Sequence, residues 1–341
     1  MQISELRALV SDRLLAFAWN EWAQLGVFGE TERASPWAAD PEALLVFTFQ
    51  VARDDPRLFD EVLDWLVTNA PLISVQRLRN ETVPHDESLV EACLAWAAAN
   101  GARLRAKPPV LRAQEAERVL FHGRPPTRRD LSFAAYGYLK PPSSRSRKSR
   151  APDLMRPIAL AFRLRQILGL GSRAEAIRFL LTAPGRSANS AARGFTTASI
   201  ADAASFAKRN VQDALTSLAL AGVIRQVPRG NERLYSIDTD RWDAFLFGGS
   251  PPPAYRDWSQ ALLAMRELHR WLAENARLEL SQYMLASEAR RFLAGIASSL
   301  SYGGFTLPIG DHADGEAYWP VFVELVSSAV EQLGEPTVQS A

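Results

Sequence analysis

The sequence predicts a mainly α fold with one small β-hairpin near its centre, flanked by helical domains. Three observations carry that expectation. Apolar residues recur at helical spacing through most of the 341 residues. Strand composition is confined to Val223-Ile224 and Leu234-Tyr235-Ser236-Ile237, on either side of a Gly230-Asn231 turn. Proline follows aspartate at Asp40-Pro41 and Asp55-Pro56, the pairing that opens helices.

Taken in order, residues 3–28 place Leu6, Leu9, Val10, Leu14, Leu15, Phe17, Ala18 and Trp22 in a helical pattern. Asp40-Pro41-Glu42 opens a second helix through Val51. Asp55-Pro56-Arg57 opens a third, with Leu58, Val62, Trp65 and Leu66 on one face. Ile73–Leu78 reads either way, and Glu87–Asn100 is helical up to Gly101. Residues 1–101 therefore form an all-α domain, suited to packing or dimerisation. Residues 102–152 are a basic Pro/Ser-rich connecting region. Its end, Pro141 to Pro152, carries Arg145, Arg147, Lys148 and Arg150 and reads as a solvated, disordered tether that reaches phosphates. Residues 153–247 hold the hairpin. Residues 248–341 are helical again, with Trp258, Leu262, Met265, Leu268, Trp271 and Leu272, then Leu280, Tyr283, Met284, Ala289, Phe292 and Ile296. A loop over Gly303-Gly304 and Pro308–Gly315 precedes a last helix, and there is no internal repeat.

The segment 196–237 is the most specific. Ser172 is placed to cap a helix from Arg173 to about Leu181. Thr196 or Thr197 caps the next, whose inner face is Ile200, Ala203 and Ala204. A third has Val211, Leu215 and Leu218 on one stripe, and Lys208, Arg209, Gln212, Asp213 and Thr216 opposite. Gly222 suits the left-handed position that stops it. Helix, turn, longer helix and hairpin in this order form a winged helix-turn-helix, the arrangement that places one helix in the major groove. Lys208, Arg209, Gln212 and Thr216 are then the candidate base and phosphate contacts, with Arg229 and Arg233 flanking the wing turn as phosphate contacts.

At Ile200-Ala201, Val211, Ala214-Leu215 and Leu218…Gly222-Val223-Ile224 the chain resembles winged helix-turn-helix regulators of the MarR and ArsR type. At Tyr136-Gly137-Tyr138-Leu139, Arg163-Leu164-Arg165 and Gly171-Ser172-Arg173-Ala174-Glu175 it is similar to a group of uncharacterised bacterial proteins with such a domain inside a helical chain. The resemblance spans roughly 70 residues and implies a sequence-specific, double-stranded-DNA-binding transcriptional regulator, working as a homodimer on paired half-sites. The alternative is a protein-interaction or antitoxin-like module that docks a partner protein. One departure is Ala207, where such helices carry a Ser or Thr cap; the third helix then starts at Ser205 or frays.

The net charge of +1 conceals a strong asymmetry. Residues 1–100 hold seven Lys and Arg against sixteen Asp and Glu; residues 101–150 hold thirteen against three. Residues 151–247 hold thirteen against eight, and 248–341 six against eleven. A basic centre between acidic flanks is an electrostatic footprint for nucleic acid.

Other chemistries find no motif. No apolar run reaches membrane-spanning length, and Met1–Arg7 is not a signal peptide. The single Cys93 lies in an apolar helical run, a core residue of a cytoplasmic protein. His85, His122, His269 and His312 show no ligand spacing; His312 beside Asp311 and Asp314 reads as a solvated acidic loop. Gly169-Leu170-Gly171 follows a helical run and not the strand that a dinucleotide site needs. Gly248-Gly249-Ser250 lacks the carboxylate pair of a nucleotidyltransferase, and Glu316 with Glu324 carries no catalytic signature. The expectation is a non-enzyme without cofactor or metal.

Overall fold

The computed structural model describes residues 1–341 except 32, 110–116, 123–124, 185–193, 249, 308–314 and 336–341. The proposed acidic loop at His312 lies outside the described residues.

Leu6, Val10, Leu14, Ala18 and Trp22 follow each other at four-residue steps and form the buried edge of α1 (Ile3–Gln24). α2 (Pro41–Val51) and α3 (Pro56–Asn69) start as their Asp-Pro pairs predict. The Asp40 carboxylate accepts from Ala43 N, and Asp55 accepts from Arg57 N and Leu58 N. The ambiguous stretch becomes α4 (Val75–Asn80), capped by Ser74, and α5 (Glu87–Ala99) follows. β1 (Arg118–Val119) pairs in parallel with β2 (Tyr138–Leu139), with α6 (Leu131–Ala134) between them. Next come α7 (Leu160–Leu168), α8 (Ser172–Thr182), β3 (Phe195–Thr196), α9 (Thr197–Ala204), α10 (Lys208–Leu220), β4 (Ile224–Arg229), β5 (Glu232–Ile237) and α11 (Thr239–Phe247). α12 (Trp258–Asn275), α13 (Gln282–Tyr302) and α14 (Tyr318–Gln332) complete the chain.

These elements bury two cores. The first joins α1–α5 to α12–α14, with Trp22, Phe47, Phe49, Phe59 and Trp65 beside Leu262, Met265, Leu268 and Phe322. The segment 248–341, set apart on sequence grounds, thus shares one core with residues 1–101. The reason lies in α2, which is apolar around nearly its whole circumference and needs α12 on the side its sequence neighbours leave open. Trp258 ties the start of α12 to α1 and to the loop before α2: its ring lies 5.6 Å from Phe17, and its indole N–H donates to the Ala38 carbonyl at 3.0 Å. The second core gathers Leu164, Ile177, Leu180, Ile200, Val211, Leu215, Ile224 and Tyr235. α7 is common to both: Phe162 packs 5.9 Å from Trp65, while Leu160 and Leu164 face the second core. Cys93 is fully buried, and burial pushes its thiol well above the usual range.

A closed ring of ions seals the seam between the cores. Arg77 donates to Asp40 and, at 2.7 Å, to Glu42. Glu42 accepts from both terminal nitrogens of Arg165, at 2.9 and 2.7 Å. Arg165 donates to Glu175 at 2.6 Å, and Glu175 accepts from Arg178 at 2.9 Å. Arg178 returns to Asp40 at 3.0 Å. Three guanidiniums alternate with three carboxylates, all buried. Burial alone would raise Asp40 and Glu175. The neighbouring arginines outweigh it, holding Asp40 well below the carboxylate range and Glu175 at about 2.

The basic run 141–152 is not the disordered tether expected from its composition. It lies as a strap along α3, covering the side that carries Asp60, Glu61 and the buried Asp64. Lys140 meets Asp60 at 2.8 Å, Arg145 meets Asp64 at 2.7 Å, and Ser146 donates to Glu61 at 2.8 Å. Its far end joins the loop after α1, where Arg150 N donates to the Gly26 carbonyl at 2.8 Å. Acidic residues about 80 positions upstream neutralise a charge that looks solvated when read locally. Among the described residues no helix is long and apolar enough to cross a membrane.

Candidate nucleic-acid interface

α9 begins where Thr196 Oγ1 accepts from Ser199 N at 3.2 Å. It ends at Ser205, a non-glycine residue in the left-handed region with φ 51. That conformation is held by α4: Asn80 donates to the Ser205 carbonyl and Arg77 Nε to the Ala204 carbonyl, each at 2.8 Å. The Ser205 hydroxyl donates to Glu81, which also accepts from Ser259 at 2.7 Å. Burial raises Glu81 against the pull of Arg77. The tight turn before α10 is therefore fastened to the first core.

α10 starts at Lys208 without a side-chain cap, as Ala207 dictates, and Ser205 belongs to the preceding turn. Ser172 is no cap either: it lies within α8 and donates its hydroxyl to the Asn210 carbonyl at 3.2 Å. The buried stripe is Val211, Ala214, Leu215 and Leu218. Gly222, at φ 70, closes the helix, with Val223 N donating to the Leu218 carbonyl at 2.9 Å. A side chain there would strain the left-handed backbone that this C-terminal motif requires.

The six candidate contact residues separate into two groups. Lys208, Arg209, Arg229 and Arg233 are exposed and take no ion-pair partner among the described residues. Gln212 and Thr216 are half-buried and turned inward. The Gln212 amide accepts from Thr197 at 2.8 Å and donates to the Tyr235 hydroxyl at 2.9 Å; Thr216 donates to the Gln212 carbonyl at 2.9 Å. They knit α9, α10 and β5 together and are not presented to a groove. The outer face of α10 carries Arg209, Asn210, Asp213 and Leu220 instead.

The sheet has β5 in the middle, with β3 and β4 antiparallel on either side. β3 is only two residues long and gives no strand signal in the sequence. In the register, Arg229 opposes Glu232 and Arg233 opposes Pro228, so the two arginines lie on opposite faces of the ribbon. Arg225 shares the Arg229 face and is 69% exposed, 3.7 Å from Asp238. Asn210 and Arg225 are exposed polar residues that the sequence reading left out.

Two of the histidines, His122 and His269, converge on Asp54, which their sequence spacing does not suggest. Asp54 accepts from His122 Nδ1 at 2.7 Å and engages His269 Nε2 at 2.9 Å; the Ser11 hydroxyl donates to it at 2.5 Å. Burial raises this carboxyl, but the histidine and serine hydrogen bonds hold it far below its usual range. Ser11 and Asp54 engage the same imidazole nitrogen, Ser11 at 3.1 Å, so no proton relay through opposite ring nitrogens exists. The cluster clasps α1 to α12. No group of His, Cys, Asp and Glu among the described residues is arranged to hold a metal ion. Gly169 and Gly171 link two helices, with no strand before them. Compared with models of protein families, with curated proteins and with solved structures, the chain matches none.

Proposed function

We propose that this chain is a cytoplasmic DNA-binding transcriptional regulator whose second core is a winged helix-turn-helix. The order α8, β3, α9, α10, β4, β5, with β3 on the far side of β5 from β4, supports the assignment. The observation that carries the reading is the set of unpaired cations Lys208, Arg209, Arg229 and Arg233 on one helix start and one ribbon tip. Base reading falls to Arg209 and Asn210, residue types that recognise guanine and adenine; Gln212 and Thr216 maintain the helix orientation. A single such unit contacts few base pairs, so the reading includes a homodimer on paired half-sites, checked by light scattering of the free protein.

The experiment is duplex binding across a salt series. Arg229→Ala and Arg233→Ala should each lower the salt slope by about one unit and weaken all sequences alike. A protein without salt-dependent binding to any duplex is not a DNA regulator.

A second reading, docking of a partner protein, is favoured by the composition of the outer surface. Leu220 is 85% exposed, Val227 is 47% exposed, and Asp213 sits among the cations of α10. Under this reading Leu220→Asp abolishes partner capture while DNA binding is absent from the start.

A further inference from the structure

An open cavity of about 490 Å³ lies between α1, the loop after it and the first turn of α3. Its walls are aromatic, and its charged lining is one cation, Arg57, and one anion, Glu30. Trp19 forms one wall, held by its indole N–H donating to Asp55 at 2.7 Å. Gly29 packs flat against that ring: a Cβ there would stand 3.2 Å from two indole carbons. Phe28 forms another wall and is 53% exposed. Each ring already attracts a cation. The Arg57 guanidinium lies 5.1 Å from the Trp19 centroid, and Lys148 Nζ lies 4.9 Å from the Phe28 centroid. Lys148 comes from the strap, which the Arg150–Gly26 hydrogen bond holds beside this loop. Neither Arg57 nor Lys148 takes a carboxylate partner among the described residues.

We propose that this cavity binds a nucleotide unit. The base stacks on Phe28, the phosphate lies between Arg57 and Lys148, and Glu30 accepts from ribose hydroxyls or a base amino group. The volume is that of a small-molecule site. Two aromatic rings, each with an unpaired cation beside it, suit a ligand that is flat and apolar at one end and anionic at the other. Glu30 on the lining disfavours a purely anionic ligand such as inorganic polyphosphate. The same chemistry is offered by a free nucleotide and by a unit within a single strand. The outward-facing Arg147 and Arg150 of the strap would engage further phosphates only in the second case. The site is separate from the α10 and wing surface and does not depend on what that surface binds.

The test is calorimetric titration of the full chain with AMP, with an oligoriboadenylate strand, and with ribose 5-phosphate. Saturable binding of AMP or of the strand is expected, with ribose 5-phosphate at least about tenfold weaker for want of a base. Phe28→Ala and Arg57→Ala should each weaken the bound probe about tenfold. Both residues are exposed, and unchanged thermal unfolding of the variants establishes that they fold. Tighter binding of the strand than of AMP, reduced further by Arg147→Ala, assigns the site to single strands; the reverse order assigns it to free nucleotides. If neither probe binds, or if both variants bind as the parent does, the proposal is overturned.

Discussion

Gln212 donates its side-chain amide to the hydroxyl of Tyr235 across 2.9 Å, fastening α10 to the middle strand of the sheet. Tyr235 is fully buried, so this is a bond of the domain interior. It changes what a substitution at Gln212 should do.

Gln212→Ala should behave as a stability variant. It strips the Tyr235 hydroxyl and Thr197 of their partner, at about 1–3 kcal/mol. Urea unfolding should show the lower midpoint, and sequence preference in any duplex binding should stay the same. Arg209→Ala and Asn210→Ala should do the opposite, leaving the midpoint in place while affinity falls.

The ion ring predicts losses of another size. Glu175→Gln leaves Arg165 and Arg178 sharing too little negative charge in a buried place, which costs about 3–5 kcal/mol. Glu42→Gln should cost a similar amount, because Arg165 and Arg77 both donate to it. Raising the ionic strength should leave these losses almost unchanged, unlike those at surface pairs. Denaturant titrations at low and high salt measure both points.

Glu21 predicts a pH dependence. Burial raises its pKa to about 7 from 4.5, against the hydrogen bonds of Ser35 and Asn20 and the charge of Arg33. The native state then holds a proton between pH 4.5 and 7 that the unfolded chain has released. Stability from this group is full below 4.5, falls as pH rises through that window, and is lost above 7; the change is about 3 kcal/mol. Glu21→Gln should remove this slope and raise stability most at pH 8. Unfolding midpoints from pH 5 to pH 8 for both proteins decide it; parallel curves would refute the assignment.

Trypsin should cut the strap slowly, although Arg147, Lys148 and Arg150 are exposed. Cleavage needs the segment to leave α3, and its anchors must break first. Asp64→Asn weakens the contact to Arg145 and should speed cleavage about tenfold, the equivalent of roughly 1.4 kcal/mol. Equal cleavage rates would return the strap to the disordered tether its composition suggests.

Local signals made much of this legible. Asp40-Pro41 and Asp55-Pro56 mark helix starts because caps act within four residues. Gly222 and the Gly230-Asn231 turn are legible for the same reason. What sequence reading missed is non-local. Gln212 has the residue type of a base reader, but its partner Tyr235 comes from a strand 23 positions away. The strap looks solvated because its acidic partners lie on α3. The Asp54 cluster draws on residues 11, 54, 122 and 269, which no spacing rule connects. α12 joins the first core because of an open face on α2, a property visible only once α1 and α3 are in place.

The ring at the seam also sets the electrostatic outcome of separating residues 153–247 from residues 1–152. A piece with residues 153–247 alone would carry Arg165 and Arg178 with Glu175, two positive charges for one negative. Residues 1–152 would carry Arg77 with Asp40 and Glu42, two negative charges for one positive. Each half on its own would expose a mismatched site, and the two mismatches are complementary. Separately produced halves should therefore seek each other, making this chain a candidate for fragment complementation and a poor one for study by isolated domains.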